Sequence, residues 1–351
     1  MEKFRVIDSD THVDETKATW EYMPPEEEAF KPRRGTDPET RRGYWLIDGY
    51  RVQRANRVDS TGWTTVETRE LLDVAARLRH MDELGVEVHV IYPTMFNRNP
   101  AVRPEVELSL TRSYNRWMAD KISRSGGRMR WICVPPLRNM PEALVELRFA
   151  RDHEACGVLK KGDLEADHEA YDPYFFPLYE EAERLDMPIC FHQGTGRVVF
   201  ADERMATSQP DLLDMKFPTI NGISSLLANG VPARFPKLRF GCIEVSAAWL
   251  PLVAHMLRRR VVERADPLNP PDISFESNRV YVTCEVDEDF PMLLHYISED
   301  NLLVGSDYTH NDPSREKEFI VKLQGQADRG AITQTVVKKI LWDNPKAFYG
   351  L

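Results

Sequence analysis

Short apolar runs recur along the chain, and helix-periodic segments separate many of them. The runs cover residues 4–8, 86–92, 130–135, 157–160, 187–192, 238–244, 280–285 and 302–307. Most are nearly continuous in hydrophobicity instead of alternating. That pattern suits strands buried on both faces of a parallel sheet. Residues 68–84 place Leu71, Leu72, Ala75, Leu78, Met81 and Leu84 on one apolar stripe. Helical patterning continues in residues 107–123, 141–153, 174–185, 222–231, 247–260, 289–298, 314–323 and 332–341. Eight strands with intervening helices predict an α/β fold, a TIM-like (β/α)8 barrel. A doubly wound open sheet is the alternative, yet no glycine-rich dinucleotide fingerprint follows the first strand.

Two stretches interrupt the alternation within what otherwise reads as one domain over residues 1–351. Residues 14–67 are rich in charge, proline and aromatics, including Trp20, Trp45 and Trp63. Residues 194–221 carry Arg197, Phe200, Arg204, Pro210 and Pro218. Long loops after barrel strands belong at the catalytic face. They are expected to form a lid or substrate wall, with a surface excursion or subunit contact as the plainer reading. The aromatic residues supply an apolar wall in the first case and ordinary packing in the second.

Composition narrows the classes. The chain has 46 basic and 56 acidic residues, a formal net charge of −10, which disfavours a general nucleic-acid-binding surface. No basic amino-terminal region leads into an apolar signal core, and no run is apolar enough for a membrane helix. A cytoplasmic protein is therefore expected. The five cysteines form no CxxC pair and read as reduced core residues. A homodimer is compatible with the side surfaces of such a barrel, though composition does not require one.

The chemistry lies at the ends of the runs. Asp8, Asp10 and His12 follow the first, His192 ends the fifth, Glu244 the sixth, Glu285 the seventh and Asp307 the eighth. Barrel enzymes assemble their sites at these carboxyl ends. Asp10 and His12 are two residues apart, so in extended backbone they point the same way and can approach one ion. His192 adds a nitrogen and Asp307 an oxygen or a base. Such a mixed set suits Zn, Mn or Fe, and an open position lets the ion activate water or polarise a substrate oxygen. Each residue also has a plainer reading. Asp8 or Asp307 can cap a turn, and a lone histidine is more often structural.

The ordered set resembles the amidohydrolase superfamily, in particular the branch of aminocarboxymuconate-semialdehyde decarboxylase and related aromatic-acid decarboxylases. The resemblance starts in Val6-Ile7-Asp8-Ser9-Asp10-Thr11-His12-Val13-Asp14-Glu15. It continues through Phe191-His192-Gln193-Gly194 and Phe240-Gly241-Cys242-Ile243-Glu244. It closes with Leu303-Val304-Gly305-Ser306-Asp307-Tyr308-Thr309-His310 and the tail Asn344-Pro345-Lys346-Ala347-Phe348-Tyr349. The resemblance implies a metal-binding barrel with Asp10, His12, His192 and Asp307 as ligands and Asp307 also catalytic. Asp10 departs from the histidine commonest at the first ligand position. Glu244 stands where such decarboxylases often carry a histidine, and it is assigned a proton-relay or second-metal role against a structural ion pair.

The resulting expectation is a metal-dependent lyase or hydrolase that decarboxylates or hydrolyses a small organic acid or cyclic substrate. Arg197 and Arg204 are candidate carboxylate clamps. Asp8, Asp14, Glu15, Glu244, His310 and Asp312 are candidates for a second ion or for the hydrogen-bonded surround of the first. A nonheme iron oxygenase with one or two irons, hydroxylating a small molecule, is one rival reading, and a noncatalytic binding barrel is the other.

Overall fold

The computed structural model describes residues 4–41, 43–54, 61–198, 200, 215–266, 270–311 and 313–351. In chain order the strands are β1 (Ile7–Val13), β2 (Arg33–Thr36), β3 (Gly43–Ile47), β4 (Tyr50–Gln53), β5 (Val88–Pro93) and β6 (Met129–Cys133). There follow β7 (Ala155–Lys160), β8 (Ile189–His192), β9 (Phe240–Ile243), β10 (Val280–Thr283) and β11 (Leu302–Leu303). Eight of them form one sheet in the order β1-β5-β6-β7-β8-β9-β10-β11, every pair parallel. All eight apolar runs thus became barrel strands.

The ends of this sheet meet. Ser9 N donates to Val304 O at 3.1 Å, Asp307 N to Asp10 O at 2.9 Å, and His12 N to Tyr308 O at 2.9 Å. These bonds join β1 to the segment after β11, so the sheet closes as a (β/α)8 barrel should. The seam is tight. A Cβ on Gly305 would lie 2.3 Å from the Asp10 Cβ, so only glycine fits there.

β1 departs from expectation. It runs on through the polar residues 9–12, all buried, with the Ser9 and His12 amides bonded across the seam and Thr11 Oγ1 donating to Val90 O at 2.8 Å. A bulge between Asp8 and Thr11 shifts its register against β5. Asp8 and Thr11 therefore share one face, and Asp10 and His12 the other.

The predicted helix over 68–84 is broken. Asp73 caps a helix over Val74–Leu84 by accepting from Ala76 N, and Leu71 just before it has a φ of 48°. The helix Asn344–Tyr349 packs its Tyr349 into the barrel, where the hydroxyl donates to Ser9 O at 2.8 Å and meets Tyr92 Oη at 2.9 Å. Among the described residues no helix is long and apolar enough to cross a membrane.

The first insertion holds a three-stranded antiparallel sheet, β2-β3-β4. Trp20 and Trp45 are buried in it and meet edge to face at 6.4 Å. Val52 pairs with Phe200 in an antiparallel bridge, so the two insertions touch.

Candidate metal centre

Six buried side chains from four places in the chain converge at one end of the barrel. Asp10 and His12 come from β1, His192 from the last residue of β8, and Glu244 from the residue after β9. Asp307 and His310 follow β11. Asp10, His12, His192 and Glu244 form one group of potential ligands, and His12, Glu244, Asp307 and His310 form another. Within each group the ligand atoms all lie within 4.8 Å of one another.

His12 Nε2 is central to both. It stands 3.3 Å from Asp10 Oδ1, 3.4 Å from Asp307 Oδ1 and 3.9 Å from Glu244 Oε2. His192 Nε2 is 3.3 Å from Asp10 Oδ1 and 3.3 Å from Glu244 Oε2. His310 Nδ1 lies 2.7 Å from Asp307 Oδ1, and its ring stacks on His12 at 3.9 Å.

Backbone carbonyls orient the imidazoles of His12 and His192. His12 Nδ1 is 3.1 Å from Pro93 O, and His192 Nδ1 is 2.9 Å from Gln193 O. Each Nδ1 donates there, leaving Nε2 as the lone-pair side that faces the carboxylates. Burial pulls the His12 imidazole below its ordinary pKa against the opposing pull of Asp10, which favours the neutral form a ligand needs. Burial pushes the Asp10 carboxyl up, but contacts with His12 and His192 outweigh it and hold the group below the carboxylate range.

This arrangement fits a divalent cation. His12 Nε2 is buried and makes no hydrogen bond of ordinary geometry among the described residues, yet three carboxylates surround it. Oxygen and imidazole donors together suit a transition ion. Glu244 and Asp307 have φ angles of 60° and 53°, a left-handed backbone that is strained for residues other than glycine. Strain of this kind concentrates where side chains must be aimed. Gln193 Nε2 donates to Glu244 Oε1 at 2.9 Å, and Thr283 Oγ1 accepts from Glu244 N at 2.8 Å.

The remaining sequence candidates separate. Asp8 accepts from Ser306 N at 2.9 Å and Ser306 Oγ at 2.5 Å on the other face of β1, away from both groups. Burial pushes its carboxyl up to about 7 against these hydrogen bonds. Asp14 accepts from Arg54 at 3.0 Å. Glu15 accepts from Thr94 N at 3.0 Å and Met95 N at 2.9 Å, and burial pushes it up to about 8. Neither joins a ligand group, because the chain has turned into the first insertion by then. Arg197 is largely exposed and lies 3.7 Å from Asp163. Glu285 pairs with Lys216 at 3.0 Å. Arg204 and Asp312 lie outside the described residues. Trp63 packs against Tyr308 at 5.2 Å. A cavity of 730 Å³ in the first insertion is lined by Trp20, Trp45, Arg34 and Glu70 among others, and by none of the clustered ligands.

Sequence reasoning missed Thr94, whose Oγ1 is 2.9 Å from His310 Nε2. It also missed Gln193, although Gln193 directly follows His192.

The family model for the amidohydrolases matches residues 7–351. The chain belongs to the amidohydrolase family. A 2-amino-3-carboxymuconate-6-semialdehyde decarboxylase of Dictyostelium discoideum is 23% identical over 271 residues, 75% of this chain and 70% of that protein. The fold is similar to that of an amidohydrolase from Mycobacterium avium subsp. paratuberculosis. Its TM-score is 0.77 at 18% identity, covering 100% of this chain and 99% of the other. A 5-carboxyvanillate decarboxylase from Novosphingobium aromaticivorans, solved with manganese, gives 0.69 at 15% identity, covering 99% and 97%. Family membership and the two ligand groups make this chain a metal-dependent enzyme of the lyase and hydrolase kind, not a noncatalytic barrel.

Proposed function

We propose that this enzyme decarboxylates a small organic acid, with Asp10, His12, His192 and Asp307 holding one divalent transition ion. The observation that carries the reading is the place of Asp307. Its Oδ1 lies 3.4 Å from His12 Nε2 and 2.7 Å from His310 Nδ1, so one carboxylate can both face an ion and exchange a proton. When bound, the ion supplies Lewis acidity toward a substrate oxygen. Thr94 and Asp307 hold the His310 ring from its two nitrogens. Asp307 then delivers a proton to the substrate carbon that keeps the electron pair as carbon dioxide leaves. Glu244, held by Gln193, faces the same space and serves as a proton relay or as a ligand to a second ion.

The insertions after β1 and β8 wall this space in our reading, with Arg197 and Arg204 as candidate clamps for a substrate carboxylate. The decarboxylase names of the curated relative and the manganese-bound structure support a carboxylic substrate. Five free, buried cysteines support a reducing, cytoplasmic setting. Homodimerisation is part of the same proposal.

Hydrolysis is the second reading, favoured by Glu244 standing where a histidine is usual in such decarboxylases. Here Asp307 accepts a proton from water. The test is a screen of metal-loaded enzyme, run with and without oxygen, against hydroxylated aromatic and enol carboxylic acids in deuterated water. Carbon dioxide release matched by one deuteron in the product is expected. Water addition without carbon dioxide would select hydrolysis. Turnover that needs and consumes oxygen would select the oxygenase.

A further inference from the structure

The barrel seam carries a buried cation outside the ligand groups. Arg77, on the helix Val74–Leu84, is 0% exposed. Its Nη1 donates to the His12 carbonyl at 2.8 Å, its Nη2 to Thr11 Oγ1 at 3.2 Å, and its Nε to His89 Nδ1 at 3.3 Å. The guanidinium carbon sits 4.4 Å from the centre of the Tyr308 ring. Burial pulls its pKa down to about 10, so the charge persists at neutral pH.

These contacts bracket the chemistry. Arg77 holds the peptide of His12, whose ring faces the ligands, and the ring of Tyr308, which follows Asp307. His89 accepts at Nδ1, which places its proton on Nε2, 3.9 Å from Asp8 Oδ2. Asp8 in turn binds both the amide and hydroxyl of Ser306. Tyr308, on one side of Asp307, is thus packed on Arg77, and Ser306, on the other, is held by Asp8, which faces His89 across 3.9 Å.

A merely space-filling side chain would not need a desolvated charge, which is costly unless its donors are well placed. A planar fork reaches acceptors on β1 and β5 and stacks on an aromatic face at the same time, which an ammonium does not. We infer that Arg77 is a positioning residue that, with His89 and Asp8, sets the His12–Asp307 spacing and thereby the affinity for the divalent ion. The inference rests on the metal-centre reading above.

The test uses the full chain, stripped with chelator and titrated with manganese alone by calorimetry. Hydrogen exchange at the His12 and Tyr308 amides is followed alongside. Folded Arg77→Met is expected to bind manganese about 10- to 100-fold more weakly, as for other residues that orient metal ligands. Arg77→Lys should fall between, and added guanidinium should restore part of the affinity of Arg77→Met. Exchange at both amides should quicken. A residue that only stabilises the fold would leave the affinity of folded protein unchanged, so wild-type affinity in folded Arg77→Met and Arg77→Lys overturns the inference. If Arg77→Met does not fold, Thr11→Val removes one acceptor without opening a cavity. A several-fold loss is then expected, and unchanged affinity overturns the inference. His12→Ala separates the two claims: if it binds manganese as tightly as wild type, the metal-centre reading itself fails.

Discussion

Two buried charged clusters in this barrel solve the same problem in opposite ways. Behind β7, Lys160 and Lys161 converge on Glu165. Lys160 Nζ donates to Glu165 Oε2 at 2.7 Å, Lys161 Nζ lies 3.3 Å from Oε1, and Lys161 N donates to Oε2 at 3.0 Å. Lys160 Nζ also lies 3.8 Å from the centre of the Phe175 ring. Opposite charges meet there, and the cluster closes on itself. At the barrel mouth, Asp10, Glu244 and Asp307 meet three imidazoles, those of His12, His192 and His310. Both clusters are buried, but the second gathers oxygen and imidazole donors that suit a divalent transition ion. Burial of charge is thus a poor guide to a site, whereas the kind of donor among converging atoms is a good one.

The largest effect expected from this contrast is at the mouth. His12→Ala or His192→Ala should remove turnover together with bound metal, read as metal per folded monomer. Full occupancy and activity in both would erase the distinction between the clusters. Asp307→Asn should keep more of the metal while lowering kcat by about 10²- to 10⁴-fold. Equal loss of metal and kcat would make Asp307 a ligand only.

Behind β7, Lys160→Met strands part of the Glu165 charge and should cost about 3 kcal/mol in denaturant unfolding. Metal content per folded monomer should not change. A drop in metal content would mean that the two clusters are coupled.

The smallest effect concerns Glu107, a buried neighbour of that cluster. Burial pushes its carboxyl up to about 7 from 4.5, although its Oε2 accepts from Arg138 N at 2.8 Å. The folded pKa lies above the unfolded one, so the folded state binds the extra proton. Its contribution to stability is complete below the unfolded pKa and is lost as pH rises through about 7. Glu107→Gln should flatten the fall in melting temperature between about pH 5 and pH 8, by on the order of 2 kcal/mol in stability. An unchanged slope would assign that titration elsewhere.

Much of this was legible in the chain because one rule repeats. Each apolar run became a barrel strand, and polar residues closing the first, fifth, sixth and eighth runs met at one mouth. Asp10, His12, His192, Glu244 and Asp307 needed only that rule. His310 sat close enough to Asp307 to be carried along. Asp14 and Glu15 were drawn toward the site by proximity in sequence, but their partners, Arg54 and the Thr94–Met95 amides, lie 40 and about 80 residues on. Arg77 gave no signal at all. In a helix it reads as a solvated arginine, and only the closed seam shows three acceptors waiting for it. The small sheet of the first insertion was hidden for a related reason: its strands are short, its two outer strands carry arginines, and part of its apolar surface is Trp20 and Trp45 meeting each other.

The bulge in β1 has a bearing on which changes in chain length the protein can accept. Asp8 and Thr11 look outward and Asp10 and His12 inward only because one extra residue is counted between them. Side chains alternate with a period of two, so the bulge works as a half-period phase shift in the strand. Removing Ser9 would take out that extra residue and leave Asp8, Asp10, Thr11 and His12 in plain alternation, each still on its own face. Removing Thr11 instead would set Asp10 and His12 side by side and turn one of them toward the helix layer. The composition would change equally little in both cases, yet only the second would break up the inward-facing pair of β1. Deletion of Ser9 should therefore be far better tolerated than deletion of Thr11.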